Sequence, residues 1–264
     1  MRRISLLGAF ILSFGLVACN SSVNTATPST SNGAWVRFIQ GSPDNAGVDL
    51  QMDGSVVLSG VSWNSITQYT LVFPGQHVFA AAPTGTSQTI GKSVTMTLGA
   101  PVTSNGTTIL SRTTIVLGGQ SGKNTAALYV FTQPTFNTNP GQATVVYGNA
   151  APDSSAPITF GIVPTNALNA TPAASASLAV GSLSGLTSIP ASSSTTSVAV
   201  SAVPSGGTQS VIFPASIDGN DAGNVLPFNN NVDLNLSVFA IDAPIGTPNA
   251  TGSVKLLGAF DPNN

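Results

Sequence analysis

Few side chains in this sequence are suited to bond-making chemistry. Its 264 residues hold one histidine, one cysteine and nine acidic residues, all of them aspartate. A transition-metal centre would have to be built almost wholly from carboxylates, against the usual preference of such ions for imidazole and thiolate. His77 follows the Pro74-Gly75 turn and shares a strand face with Phe79 and Ala81, which suits a packed or rim histidine. General acid–base work would need a partner group delivered from elsewhere in the chain. Gly181-Ser182-Leu183-Ser184-Gly185 carries its serine one place late for a nucleophile elbow. The run Gly118 to Asn124 superficially resembles a phosphate loop, but its spacing fails and Asn124 stands where Ser or Thr is needed. A hairpin loop is the expected structure there.

Other clusters bear on ligands. Asp218, Asn220, Asp221 and Asn224 lie in one short Gly-containing segment and offer hard oxygen ligands that suit a structural Ca²⁺ ion. The segment departs from the EF-hand pattern at Ala222 and lacks its bidentate glutamate, and Asp, Asn and Gly are also ordinary loop formers. No other cofactor or metal is expected. Trp35 and Trp63 are the candidate ligand-facing aromatics, able to stack on sugars if exposed; core packing or a domain seam is the competing expectation. Ser42-Pro43-Asp44 and Ala151-Pro152-Asp153 read as matching turns, in which proline presets φ and the aspartate bonds nearby backbone.

The cysteine has a more specific context. Met1-Arg2-Arg3 is basic, and residues 4–18 form an apolar run short of the ~20 residues that span a bilayer. That run ends in Leu16-Val17-Ala18-Cys19, which resembles a bacterial lipobox, where the thiol is alkylated by diacylglycerol and becomes the mature N-terminus. Residues 1–18 are therefore expected to be a lipoprotein signal peptide, with Cys19 the lipidation site. At about 0.8 kcal/mol per buried CH₂, two or three acyl chains hold a protein firmly. Residues 19–33 have little apolar bulk and suit a lipidated cysteine on a flexible tether. The expected location is the bacterial cell envelope, outside the cytoplasm, anchored to the outer or cytoplasmic membrane.

The elements that carry these residues read as strands. Charged residues are only 6% of the chain, against ~25% in ordinary globular proteins, and the surface helix formers Glu, Lys and Arg are nearly missing. The net charge of -2 argues against nucleic acid, which needs clustered cations. In the stretch from Val36 to Gly54, Val48, Leu50 and Met52 alternate with Asp49, Gln51 and Asp53, the period of a half-buried strand. Asp53-Gly54 supplies a two-residue hairpin turn. The opening recurs at Val145 to Asp153. Short alternating runs separated by turn signals then predict an all-β chain of two tandem immunoglobulin-like antiparallel β-sandwich modules. Their expected bounds are 34–133 and 142–264, joined by a Pro-containing linker at 134–141.

Trp35 to Gly60, the Pro74-Gly75 turn, Ile115-Val116-Leu117-Gly118 and the restart near Thr144 resemble the domain-of-unknown-function 4397 family. The resemblance implies secreted or lipid-anchored proteins, usually of two tandem halves with an Ig-like sandwich fold. It brings no established catalytic residues.

Together these features predict a lipid-anchored envelope protein acting as a non-enzymatic structural or adhesive binding module. The alternative is a carbohydrate-binding surface protein that uses exposed aromatics. Expected partners are the membrane, through the N-terminal anchor, and an envelope protein or glycan. Self-association is also expected, because few lysines guard the strand edges.

Overall fold

The computed structural model describes residues 27–104, 106–135, 142–154, 157–164, 171–190, 198–206, 210–212, 235–244 and 254–261. In chain order the first part comprises β1 (Ala34–Gln40), β2 (Gly47–Met52), β3 (Ser55–Ser62), β4 (Ser65–Ile66), β5 (Thr70–Val72), β6 (Gly75–Pro83), β7 (Ile90–Leu98), β8 (Val102–Ser104), β9 (Thr107–Ile109), β10 (Arg112–Gly118) and β11 (Ala127–Gln133). The second part comprises β12 (Gln142–Asn149), β13 (Ile158–Pro164), β14 (Ala173–Leu178), β15 (Thr187–Pro190), β16 (Val198–Pro204), β17 (Ser210–Ile212), β18 (Asn235–Asp242) and β19 (Val254–Asp261). The one helical turn among the described residues is the 3₁₀ turn Ser121–Lys123 in the β10–β11 loop.

Local chemistry sets the hairpins. Asp53 and Gly54 take φ of 52° and 80°, and Met52 pairs with Ser55. Left-handed values at both central residues match the twist of the flanking strands, and Asp and Gly tolerate them. Asp49, on the outward face of β2, is nonetheless buried. It accepts hydrogen bonds from the Ser59 hydroxyl and from the amides of Gly60 and Gly85, so it ties the β3 bulge and the β6–β7 loop to β2.

Four sheets result. The first part pairs a sheet of order β11-β10-β1-β4, with β5 also on β1, against a sheet of order β3-β2-β6-β7. The second part repeats the arrangement as β15-β12-β18-β19 against β14-β13-β16-β17. Each sandwich closes with a parallel pair, β1 with β10 and β12 with β18, so the sheets are not antiparallel throughout. The period-two pattern foretells a half-buried strand but is silent on the direction of its neighbour.

Each pair of sheets encloses its own core. Val36 and Phe38 of β1, Ile115 and Leu117 of β10, Leu50 of β2 and Phe79 of β6 fill the first. Tyr147 stacks on Phe160 at 5.3 Å in the second, beside Val238 and Leu256. A third cluster, with Ile39, Val116 and Phe131 on one side and Phe239, Ile241 and Leu257 on the other, lies between the β10-bearing and β18-bearing sheets. The structure is thus four sheet layers with three apolar interfaces. Close approach at the middle interface requires glycine: a Cβ on Gly41 would lie 2.6 Å from Ile241 Cγ2, and one on Gly118 would run into the Ala150 carbonyl oxygen.

Cys19, the linker residues 136–141 and the whole Asp218–Asn224 segment lie outside the described residues. β14 and β15 flank a Ser/Gly-rich stretch whose lack of alternating bulk gives no strand signal; they are held by pairing to β13 and β12.

Candidate functional site

His77 does acquire a carboxylate, from the hairpin turn next to it. Its Nδ1 lies 2.6 Å from Asp53 Oδ2, and its Nε2 lies 3.0 Å from the Phe73 carbonyl oxygen. Both ring nitrogens are engaged, one by a carboxylate and one by a backbone carbonyl, and the ring braces the turn edge-on to Phe79. The Val78 amide also donates to Asp53 Oδ1. That amide first, and His77 second, hold the Asp53 carboxyl below its ordinary value.

The two proline turns are matching devices with divergent partners. In the first, Gln40 closes the loop by accepting from the Ser42 amide and donating to the Asn45 carbonyl. The Ser42 hydroxyl donates to Asp44 Oδ1, and Asp44 Oδ2 accepts from the Gly122 amide at 2.7 Å. Burial opposes the Asp44 charge, but the donors from Gly122, Ser121 and Ser42 outweigh it and hold the carboxyl below its usual value. In the second, Asn149 replaces Gln40 and accepts from the Ala151 amide. Asp153 turns toward the first sandwich, with Lys123 Nζ 3.6 Å from its Oδ2. The segment from Gly118 to Asn124 is the β10–β11 hairpin loop, and it touches both turns.

Beneath that loop lies Asp242, buried at the end of β18. Its two oxygens accept from the amides of Gly119 and Asp153, each at 3.0 Å. Burial, and then the neighbouring Asp153 charge, push its carboxyl up to about 7 in spite of those donors.

The other end of the seam holds a second polar cluster. Arg37 is only 1% exposed; its Nη1 pairs with Asp261 Oδ1 at 2.9 Å and its Nε donates to Thr114 Oγ1. The guanidinium also lies 4.6 Å from the Tyr69 ring centre. The Tyr69 hydroxyl is 2.8 Å from both Asp261 Oδ1 and Gln133 Oε1, and burial pushes its phenol well above the ordinary value. The Gln133 amide donates to Thr114 and Ser237, and Ser237 in turn donates to Asp261 Oδ2. Residues of β1, β10 and β11 are thus bonded to residues of β18 and β19. Composition-level reasoning misses this cluster, although one signal was present: Arg37 interrupts the otherwise apolar run Trp35 to Ile39 in a chain almost without charge.

Trp35 and Trp63 are each half-buried. Trp35 meets Tyr69 edge-on at 6.3 Å, and Lys255 of β19 sits 5.0 Å above the Trp63 ring. The structure does not bring the two indoles together as one platform. The Asp218, Asn220, Asp221 and Asn224 oxygens and Cys19 fall outside the described residues. Among the described residues, no three His, Cys, Asp or Glu side chains are grouped to hold a metal ion, and no helix is long and apolar enough to cross a membrane.

Next to the first proline turn an open groove of about 700 Å³ runs between the β6–β7 and β10–β11 loops. Amide, hydroxyl and ammonium groups of Asn45, Gln88, Thr89, Lys92, Asn124 and Thr125 border it.

The site therefore defines a class: stacked β-sandwiches whose acidic groups act as internal fasteners. Residues 34–156, which span the first sandwich and the opening of the second, match the family described as Domain of unknown function (DUF4397). No curated protein matches the chain. Among solved structures, the fimbrial anchor protein Mfa2 from Porphyromonas gingivalis is similar at 11% identity and TM-score 0.24, over 86% of this chain and 97% of that one. A candidate cell adhesion protein from Bacteroides uniformis ATCC 8492 gives 10% identity and TM-score 0.27, over 88% of this chain and 99% of that one. The pilus adhesin SpaC from Lactobacillus rhamnosus GG gives 12% identity and TM-score 0.18, over 88% of this chain and 31% of that one. Superpositions this loose carry neither a role nor a shared fold to this chain.

Proposed function

We propose that this protein is a lipid-anchored, non-enzymatic envelope module that holds a rigid binding surface away from the membrane. One observation carries it: Asp44, Asp49, Asp53, Asp153, Asp242 and Asp261, the carboxylates of the described residues, are all engaged in turns, loops or the seam. Acidic side chains tied down by backbone amides and cations are suited to fixing shape rather than to transferring protons. Cys19 supplies the anchor and residues 19–33 the tether, in keeping with the lipobox-like context of that cysteine. Metabolic labelling with an alkyne-bearing fatty acid tests the anchor: Cys19→Ala should abolish incorporation and release the protein from the membrane fraction. Unchanged membrane retention of that variant would overturn it. Adhesion of cells carrying the protein, compared with cells carrying Cys19→Ala, tests the surface role.

A carbohydrate ligand is the second reading, favoured by the groove beside Asn45. Its amide and hydroxyl lining offers paired donors and acceptors of the kind that sugar hydroxyls use. Glycan-array binding lost in Asn124→Ala but kept in Trp35→Ala would place the sugar in this groove; the opposite result would place it on the indole.

A further inference from the structure

The seam cluster contains a charge it does not balance. Arg112 begins β10 next to Gln133 in the register and is only 6% exposed, yet its Nε and Nη1 have no hydrogen-bond partner. Asp261, the nearby carboxylate, is already engaged by Arg37, Tyr69 and Ser237. Two buried guanidinium groups therefore face one buried carboxylate. Burial works against the Arg112 charge, with Tyr69 and Asp261 offsetting it only in part. An arginine does not escape such a position by losing its proton, because its guanidinium is effectively always charged. A buried cation without a paired anion is costly.

Arg112 also lines a cavity of about 350 Å³, at the small end of the ~300–1,000 Å³ typical of small-molecule sites. Most of the other walls are apolar, with Ala100, Val102, Ile109, Leu110 and Pro134 among them, while Thr135 adds a polar side chain at the edge. Two other polar neighbours are committed elsewhere: the Ser111 hydroxyl donates to the Gly99 carbonyl, and Gln133 is held by Tyr69, Thr114 and Ser237. Val102, 63% exposed, is the most exposed large apolar residue of the described chain.

We propose that this cavity binds a small amphiphilic carboxylate, its head on Arg112 and its tail against Val102, Ile109 and Leu110. A guanidinium N–H makes a charge-assisted hydrogen bond to a carboxylate oxygen, and the apolar walls favour a hydrocarbon tail over a hydrated inorganic anion. Neither half of that recognition works alone. Acetate offers the charge without the tail, and octanol offers the tail without the charge.

Octanoate added to the soluble protein beginning after Cys19 tests this. Saturating octanoate, about a hundredfold over its Kd, should raise Tm by about 5–10 °C, while octanol and acetate at the same concentration leave it unmoved. Titration calorimetry on Arg112→Gln should show at least a tenfold loss of affinity, and Val102→Trp, which obstructs the cavity, should show a comparable loss. No response of the wild-type protein to octanoate, an equal response to octanol, or full affinity in Arg112→Gln would overturn the proposal. Should Arg112→Gln not fold, unchanged affinity in Val102→Trp would overturn it instead.

Discussion

Arg37 of the first strand and Asp261 of the last are paired at 2.9 Å, with both side chains almost wholly shut off from water. Around them, Tyr69, Thr114, Gln133 and Ser237 extend the hydrogen bonding across the seam, although Arg37 Nη2 is left without a partner. Desolvating two charges costs several kcal/mol per ion, so the pair stabilises the protein only because its geometry and neighbours offset that cost. Removing Asp261 strands two buried guanidinium groups, those of Arg37 and Arg112, whereas removing Arg37 leaves Asp261 beside Arg112. Asp261→Asn should therefore lower unfolding free energy by about 3–5 kcal/mol, and Arg37→Met should cost less. Urea unfolding followed by tryptophan fluorescence reads this. Singles as stable as the wild type would show that the seam does not depend on the pair.

Asp242 should make the seam weaker as pH rises. Its folded-state value is about 7 against an ordinary 3.8, so between those pH values the folded protein keeps a proton that the unfolded chain has lost. Stability must then fall as pH climbs from about 4 to about 7, by up to about 4 kcal/mol, and level off above. Tm should be higher at pH 5 than at pH 8. In Asp242→Asn that difference should shrink sharply, whatever the variant's absolute Tm. An unchanged slope would mean that Asp242 is not the group responsible.

Asp44, Asp49 and Asp53 act in the opposite sense at lower pH. Each carboxyl is held below its ordinary value, Asp49 first by the Gly60 amide, Asp53 first by the Val78 amide, and Asp44 by loop donors that outweigh its burial. Their contribution is fully present above the unfolded value of 3.8 and is lost as pH falls through the lower folded values. Together with Asp242 this places the stability maximum near pH 4, which a thermal-melt series from pH 2 to pH 9 would locate.

Gly118 leaves no room for a side chain where the two sandwiches meet. Gly118→Ala inserts a methyl group against the Ala150 carbonyl oxygen, and neither backbone has a flexible side-chain end to yield. A loss of about 1–3 kcal/mol is expected from such overpacking. Small-angle scattering should show an enlarged radius of gyration if the sandwiches separate; Gly185→Ala, with open space around its Cβ and no left-handed φ, serves as a control for an added methyl group alone.

Much of this fold is legible in the chain. The Asp53-Gly54 turn, the alternating core positions Val48 and Leu50 and the hairpin nature of Gly118 to Asn124 follow from residue types and spacing. The parallel pairing of β1 with β10 does not, because a strand's period is the same whichever way its neighbour runs. The site was less visible still. Arg37, Asp261, Tyr69 and Gln133 are far apart in the chain, and only the stacking of two duplicated sheets brings them to one place. His77 met Asp53 by the same logic, through a cross-strand contact that a linear scan does not see.

The pairing of Arg37 with Asp261 also sets a schedule for assembly. Arg37 is made and exported well ahead of Asp261, so the first sandwich can close on its own core while its outward arginine is still bathed in water. Only when β19 arrives can that charge be drawn inside. The halves must therefore mature one after the other, and a chain interrupted before its final strand would present a wet, cationic sheet where the finished protein has a dry, bonded one.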